Sequence, residues 1–516
     1  ANLLRSVVTK MPDFIIANLM RDSLSAYVTS GAKITPIVDT IRNFGAAIAD
    51  KSPALDILRS YGVIGGYDLA QNVEKSGIDL AKDLRKKTGT RTAKEKILSA
   101  TGIVPLWGAL EKGSAASDAA TRMAVFEATM KETNNEVEAA FRAMEVMNFS
   151  RKGNSALIRV LTAVTPFLNA RMQGLDVLYR AGIRPILRGA TPSEQEKAIA
   201  KSFYIRGMTL ASLSVMYYML THDDDEYKKQ EQETRDNNWL IPSLGIKIPI
   251  PFEVGVIFKV LPERLTAYYL GNDTGKDLML SAKRNIASTF GIQLPQAILP
   301  AIEVATNYSF FTGREIVGQG MQDIDKQFQI NPNTTKLSQA IGNLTSFKTA
   351  SGTSWGVSPI EIDHLISGYL GGLGMYMAES IDVIIDMNSD NPKASKRFEQ
   401  MPVIKRFALD PKARGSVTAY YELKNAVDET VRTDNYLTRT MKMDAKGEYM
   451  QDYAGLLLTR DYVNTLEKSM KEFREMKTII QNSPMSADDK RAALSAIIDV
   501  ENDLTANIKD IRKAIQ

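Results

Sequence analysis

Only two histidines, His222 and His364, stand 142 positions apart in this 516-residue chain, and there is no cysteine. A Ser-His-Asp relay needs a histidine base held by a carboxylate; thiolate zinc, iron–sulfur and cysteine-nucleophile chemistry need cysteine. The sequence supplies little for any of them. Gly352-Thr353-Ser354-Trp355-Gly356 has the letters of a nucleophile elbow, which requires a buried strand before it, a helix after it and a later histidine base. Polar Lys348-Thr349-Ala350-Ser351 precedes it, Pro359 follows, and His364 is the sole later histidine, so a plain loop is expected. Gly271-Asn272-Asp273-Thr274-Gly275-Lys276 falls one residue short of a phosphate-binding loop, and Asp277 stands where a magnesium-binding hydroxyl belongs, which reads as a turn. Gly318-Gln319-Gly320 lacks the third glycine of a dinucleotide fingerprint, and no H-E-x-x-H zinc helix occurs. The 60 Asp and Glu leave a glycosidase-type carboxylate pair open without promoting one. The acidic run His222–Glu226, continuing to Asn238, reads as a solvated loop or exposed helix, because consecutive carboxylates repel. No catalytic residue, metal or cofactor is assigned, and the chain is expected not to be an enzyme.

Charge offers a different chemistry. Sixty-four Lys and Arg against 60 Asp and Glu give only +4, so no uniform field wraps nucleic acid. The distribution is uneven: residues 1–220 carry 29 basic and 20 acidic side chains, leaving 35 and 40 for the rest. The densest basic stretch holds Arg151, Lys152, Arg159, Arg171, Arg180, Arg184 and Arg188 against Asp176 alone. A groove of such residues would bind phosphate, as DNA backbone or anionic lipid headgroups. The competing reading is a set of ordinary helix-surface cations paired with the more acidic second part.

The elements that carry these residues are helical. In Ala119–Met147 the apolar residues Met123, Phe126, Met130, Val137, Ala140, Phe141, Met144 and Met147 recur mostly at three- and four-residue spacings, which predicts an amphipathic helix or a close pair. Val463, Leu466, Met470, Phe473 and Ile480 form a near-heptad run, and Leu494, Ile497, Leu504, Ile508, Ile511 and Ile515 form a second. Asn482-Ser483-Pro484 breaks the helix between them and Ser486 with Asp489 resembles an N-terminal cap, so an antiparallel helical hairpin is predicted. Asn238–Ile241 and Ile246–Pro251, joined through Pro242-Ser243-Leu244-Gly245, read as one small β-hairpin near 238–253. The fold class is therefore all-α: an elongated multi-helix assembly with that hairpin and the C-terminal helical pair. Breaks near 148–154, 331–354 and 388–415 suggest four regions, 1–150, 151–330, 331–415 and 416–516. At roughly 150 residues per domain, three or four domains also fit the length.

No stretch reaches the ~20 apolar residues of a membrane-spanning helix. Gly207–Leu220, with Met216, Tyr217 and Tyr218, and Leu365–Ala378, with Gly368, Gly371, Gly372 and Gly374, reach fourteen each; Asn285–Ile302 reaches eighteen but contains Pro295 and Pro300. They read either as buried core helices or as lipid-contacting or self-packing surface in an oligomer. The Gly368/Gly372 spacing permits close helix approach, while four glycines in seven residues favour a bend. The chain opens on Ala1 with Arg5 and Lys10 interrupting its first apolar run, unlike a signal peptide, and reads as a segment excised from a longer product.

Thr165–Gly174 (TPFLNARMQG), the apolar Gly207–Leu220, the acidic Asp223–Glu226, Trp239–Pro242, Pro249–Gly255, Leu261–Arg264, Asn307–Arg314 and Ser358–Asp363 occur in an order that resembles the large polyvalent protein-associated domain of type 38, over about 150–380. That domain occurs in phage-encoded polyvalent proteins and internal virion proteins. The resemblance carries no catalytic residues. It implies a protein packaged in the capsid near the portal and delivered with the genome to the host envelope or cytoplasm, similar to podophage internal core proteins that help form a trans-envelope DNA conduit. Implied partners are copies of itself in a ring, other core or portal proteins, double-stranded DNA and host membrane. The alternatives are a DNA-binding packaging or protection factor acting through Arg151–Arg188, and the non-catalytic segment of a larger peptidoglycan-cleaving protein. The 22 methionines and the absence of disulfides suit a chain that repacks after passing through a narrow tail.

Overall fold

The computed structural model describes residues 8–64, 103–146, 168–187, 191–290, 298–310, 314–331, 333–348, 354–386 and 391–515, with 155, 156, 158, 160 and 389. It is all-α. The first group comprises α1 (Pro12–Thr29), α2 (Val38–Ala49), α3 (Pro53–Ser60), α4 (Ile103–Thr133) and α5 (Glu136–Glu145). Alanines carry the centre: Ala116, Ala119, Ala120 and Ala124 of α4 are buried beside Met123 and Phe126, letting α1, α2 and α5 approach closely. Asn134 takes a left-handed φ of 50° and Asn135 caps α5 by accepting from Glu138 N at 3.1 Å, so the apolar repeat over 119–147 is divided between two helices. Within α5 the inward face is Ala139, Ala140 and Ala143; Val137 and Phe141, expected on the buried stripe, are exposed. The turn at Asn134–Asn135 resets the helical phase, which periodicity read across the break could not register. Met147 lies outside the described residues.

The second group contains α6 (Leu168–Leu178), α7 (Glu194–Thr221), α8 (Gln232–Asn237), α9 (Leu261–Tyr269), α10 (Gly275–Phe290), α11 (Leu299–Ala305), α12 (Lys336–Thr345) and α13 (Pro359–Asp386). A capping box starts α7: Ser193 Oγ accepts from Glu196 N at 3.2 Å, and Glu196 Oε2 accepts from Ser193 N at 2.8 Å. Its inner side packs on α1, on a π-helical turn at Val256–Val260 and on α9. Gly207 permits the closest approach, because a Cβ there would strike the Phe258 ring.

The expected hairpin is present, with β1 (Asn238–Ile241) antiparallel to β2 (Ile246–Pro249) and Asn238 opposite Pro249. Gly245, at φ 64°, closes the turn. Two further two-residue hairpins occur where no alternating pattern is present, β3 (Tyr308–Ser309) with β4 (Arg314–Glu315) and β5 (Phe347–Lys348) with β6 (Ser354–Trp355). Side-chain bonds brace the first: Asn307 Oδ1 accepts from Val317 N and its Nδ2 donates to Val317 O, at 2.8 and 2.9 Å. The second places Ser354 of the elbow-like sequence on a strand, where a loop was expected; Gly352 and Thr353 lie outside the described residues.

The third group is α14 (Gly415–Arg439), α15 (Met443–Leu458), α16 (Arg460–Asn482), α17 (Ala487–Thr505) and α18 (Ile508–Ala514). The α16/α17 pair is the predicted hairpin, and Ser486 caps α17 by accepting from Asp489 N at 3.2 Å. It does not stand alone. Val463, Leu466, Met470 and Ile508 close one core with Val417, Ala419, Tyr420, Leu423 and Val427 of α14. Every residue of that core comes from the C-terminal hundred.

Candidate functional site

Of the seven basic candidates, Arg171, Arg180 and Arg184 lie among the described residues. Arg151, Lys152, Arg159 and Arg188 lie outside them. Arg180 Nε sits 2.8 Å from Asp176 and also pairs with Glu145, while Arg184 lies 3.2 Å from Glu196. Half-burial lowers the Arg171 pKa, opposed by the nearby Glu253 charge. Burial likewise lowers that of Arg180, helped by Arg184. Three carboxylates the linear sequence does not place nearby, Glu145, Glu196 and Glu253, therefore stand beside the described arginines, while the Arg184 side chain stays 55% exposed.

The apolar candidates divide by helix face. On α7, Ala200, Phe203, Gly207, Ala211, Ser214 and Tyr218 face inward. Tyr217 and Tyr218, expected on a packing or membrane-facing surface, turn instead into the cluster with Tyr227, Leu240, Ala267 and Leu409. There Tyr217 Oη accepts from Leu240 N at 2.8 Å. Met216 is on the opposite face. With Ile205, Met208, Leu213, Met219 and Leu220 it is more than half exposed, and no charged side chain interrupts the helix between Arg206 and His222. At ~25 cal/mol per Å2 and about 1.5–3 kcal/mol per fully buried large apolar side chain, each represents roughly 60–120 Å2, so the six leave roughly 200–450 Å2 uncovered. That is about the size of the largest apolar patch on a typical monomer, which is often functional. Beside it the helical run 256–270 leaves Ile257, Leu261, Leu265, Tyr268 and Tyr269 exposed.

The glycines of α13 serve packing within the chain. A Cβ at Gly368 would lie 2.6 Å from Pro300, and one at Gly372 would lie 2.8 Å from Met11. Gly374 lies against its own helix at Leu370 and Ile366. Gly371 leaves helical geometry, at φ 60° and ψ −154°, and kinks α13. Gly371 thus makes the bend, while Gly368 and Gly372 lie against two different elements and not along one helix. Its lower end exposes Met377, Val383 and Ile384. Among the described residues no helix is long and apolar enough to cross a membrane.

The most concentrated electrostatics lie at a site that composition could not reveal. Arg264, 1% exposed, places Nε 2.9 Å from Asp236 Oδ1 and Nη1 2.7 Å from Asp273 Oδ2. Ser281 Oγ donates to Asp236 Oδ2 at 2.8 Å. Lys259 Nζ approaches Glu263 Oε2 at 3.0 Å and donates to the Arg235 carbonyl. Burial pushes Glu263 up to about 6 against the pull of Lys259, and depresses Lys259. For Arg264 burial works against the charge, but Asp236 and Asp273 outweigh it and raise its pKa. The segment 222–238, expected to be solvated, contributes Tyr227, Gln230 and Asp236 to this interior. Leu261–Arg264 was visible as a family segment; its ion partners, 28 and nine residues from Arg264, were not. Each charge is matched, as in a structural network.

Another perturbed group is Asp22 on α1. Burial and Asp118 push its carboxyl up to about 7, with Arg122 and Arg21 opposing. Asn18 Nδ2 donates to it at 2.8 Å. His222 stacks on Tyr218, and His364 Nε2 lies 2.9 Å from Glu303, so each histidine has a local structural partner. Gly271, at φ 71°, makes the expected turn, and Thr274 caps α10 by accepting from Asp277 N at 3.2 Å while Asp277 Oδ2 accepts from Thr274 N.

Residues 224–404 match the family model of the large polyvalent protein associated domain 38. That stretch, about a third of the chain, is similar to this domain. The match starts and ends later than the sequence resemblance, leaving TPFLNARMQG and α7 before it. No curated protein matches the chain, and no solved structure does.

Proposed function

We propose that this chain is a structural, non-enzymatic component of a phage particle, an internal core or ejection protein packaged with the genome, which works by packing helices against further copies of itself. The observation that carries this reading is the long, uncharged apolar face of α7, held outward next to the phage polyvalent domain. A face of this kind is costly to leave in water and is covered in an assembly. Core and portal proteins, double-stranded DNA and, after delivery, host membrane are the further partners of the reading.

Mass determination of the proteins in purified particles tests it. The peptide set of this chain is expected in DNase-treated particles at many copies; its absence there refutes the virion assignment. A DNA-binding packaging factor is the second reading. It requires salt-dependent DNA binding that falls when Arg171, Arg180 and Arg184 are neutralised. Their carboxylate neighbours favour unchanged binding.

A further inference from the structure

The outward face of α7 is ordered as a seam. Ile205, Thr209, Ser212, Met216 and Met219 follow one another at four, three, four and three residues, the spacing at which two helices run along each other. All five are exposed, and Met208, Leu213 and Leu220 flank them. The small residues sit at the middle of the seam and the large ones towards its ends. Thr209 Oγ1 already donates to the Ile205 carbonyl at 2.9 Å, so its hydroxyl can be covered with its hydrogen bond kept.

The chemistry around the seam distinguishes its occupants. An interfacial helix lying on lipid flanks its apolar stripe with Lys and Arg. Here Arg206 Nη1 is turned inward onto the carbonyls of Tyr27 and Ala32, at 2.6 and 2.9 Å, and no other cation follows on α7. A second α7 fits better. Antiparallel about a two-fold axis at Ser212, Ile205 meets Met219, small Thr209 meets large Met216, and Ser212 meets its own mate. Stable interfaces bury ~800 Å2 per partner with somewhat over half of it apolar. The roughly 200–450 Å2 of the six large apolar side chains on and beside the seam supplies about half or more of that apolar part, and the neighbouring Leu261 and Leu265 stripe adds to it.

We propose that α7 pairs with α7 of a second copy, antiparallel, across a two-fold axis at Ser212. The inference rests on the assembly reading above and fails separately from it, since particle composition and helix pairing are measured independently.

The chain has no cysteine, so Ser212→Cys in the full chain introduces one thiol at the axis. Lys201→Cys is the control, on the same helix eleven residues away; across the axis its two thiols would stand ~33 Å apart at ~1.5 Å rise per residue. Under mild oxidation at micromolar protein, Ser212→Cys is expected to form covalent dimer at least tenfold faster than Lys201→Cys. Adding Met216→Glu is expected to abolish that advantage and give a monomer by light scattering, with the far-UV circular dichroism unchanged because Met216 is 57% exposed. Equal rates for the two thiols overturn the proposal. So does a dimer indifferent to Met216→Glu, a monomer whose Ser212→Cys thiol resists maleimide because its own chain covers it, or a monomer that floats with anionic vesicles.

Discussion

Replacing Arg264 by methionine removes the cation at the centre of the buried network while keeping most of the side-chain volume. Asp236, 3% exposed, would keep Ser281 Oγ and Gln232 Nε2 as donors, with Arg284 at 4.0 Å; Asp273 would lose its 2.7 Å partner. Breaking a buried pair from one side costs about 3–5 kcal/mol, because the remaining carboxylates stay desolvated without a counter-charge. The expected result for Arg264→Met is thus a loss of about 3–5 kcal/mol. Asp236→Asn alone should be destabilising too, since Arg264 then leans on Asp273 only. The double variant should cost less than the two single losses together, by about 1–3 kcal/mol, because each change relieves the charge stranded by the other. Urea unfolding followed by circular dichroism gives the midpoints, and hydrogen exchange over 232–290 localises the effect in a chain with several cores. A loss under 1 kcal/mol for Arg264→Met, or strict additivity, would show that the network does not hold this region together.

Other outcomes follow from single contacts. Gly207→Val drives a side chain into the Phe258 ring and should cost about 1–3 kcal/mol by overpacking, read as a lowered melting midpoint. Asp22 holds its proton more tightly folded, at about 7, than at its ordinary 3.8, so its contribution is full below pH 3.8 and is lost as pH rises to 7. Asp22→Asn should therefore raise stability above pH 7, by on the order of 2 kcal/mol after solvent screening of a shift worth at most about 4. The gain over wild type should vanish near pH 4; a pH-independent difference would contradict the assignment. Residues 415–516 close their core without outside help and meet the preceding chain through polar contacts such as Lys490 with Pro392 O at 2.8 Å and Ser395 with Asp488 at 2.7 Å. Expressed alone they should be helical and melt cooperatively, and Leu466→Ala should cost about 2–5 kcal/mol in that fragment. Ser486→Ala should cost about 1 kcal/mol through the lost cap of α17.

Local signals were legible because their causes are local. The break at Ser483-Pro484, the Ser486 cap, the Gly245 turn between β1 and β2, and the repeat at Val463, Leu466 and Met470 each depend on residues within a few positions. The order of short segments across about 150–380 also pointed to the type 38 domain, whose family model matches 224–404. Which carboxylates pair with Arg180 and Arg184 was decided elsewhere, because Glu145 and Glu196 reach them only once α5, α6 and α7 are packed. The same holds for Arg264, whose charge is matched by Asp236 and Asp273 from two other elements. For α7 the sequence determined that residues 207–220 are uncharged all round; packing on Phe258 and Tyr227 then selected which side is buried. Hydrophobicity is a property of each residue, but exposure is a property of the neighbours that the fold brings to it. Only the tertiary structure could place Tyr218 inside and leave Met216 at the surface.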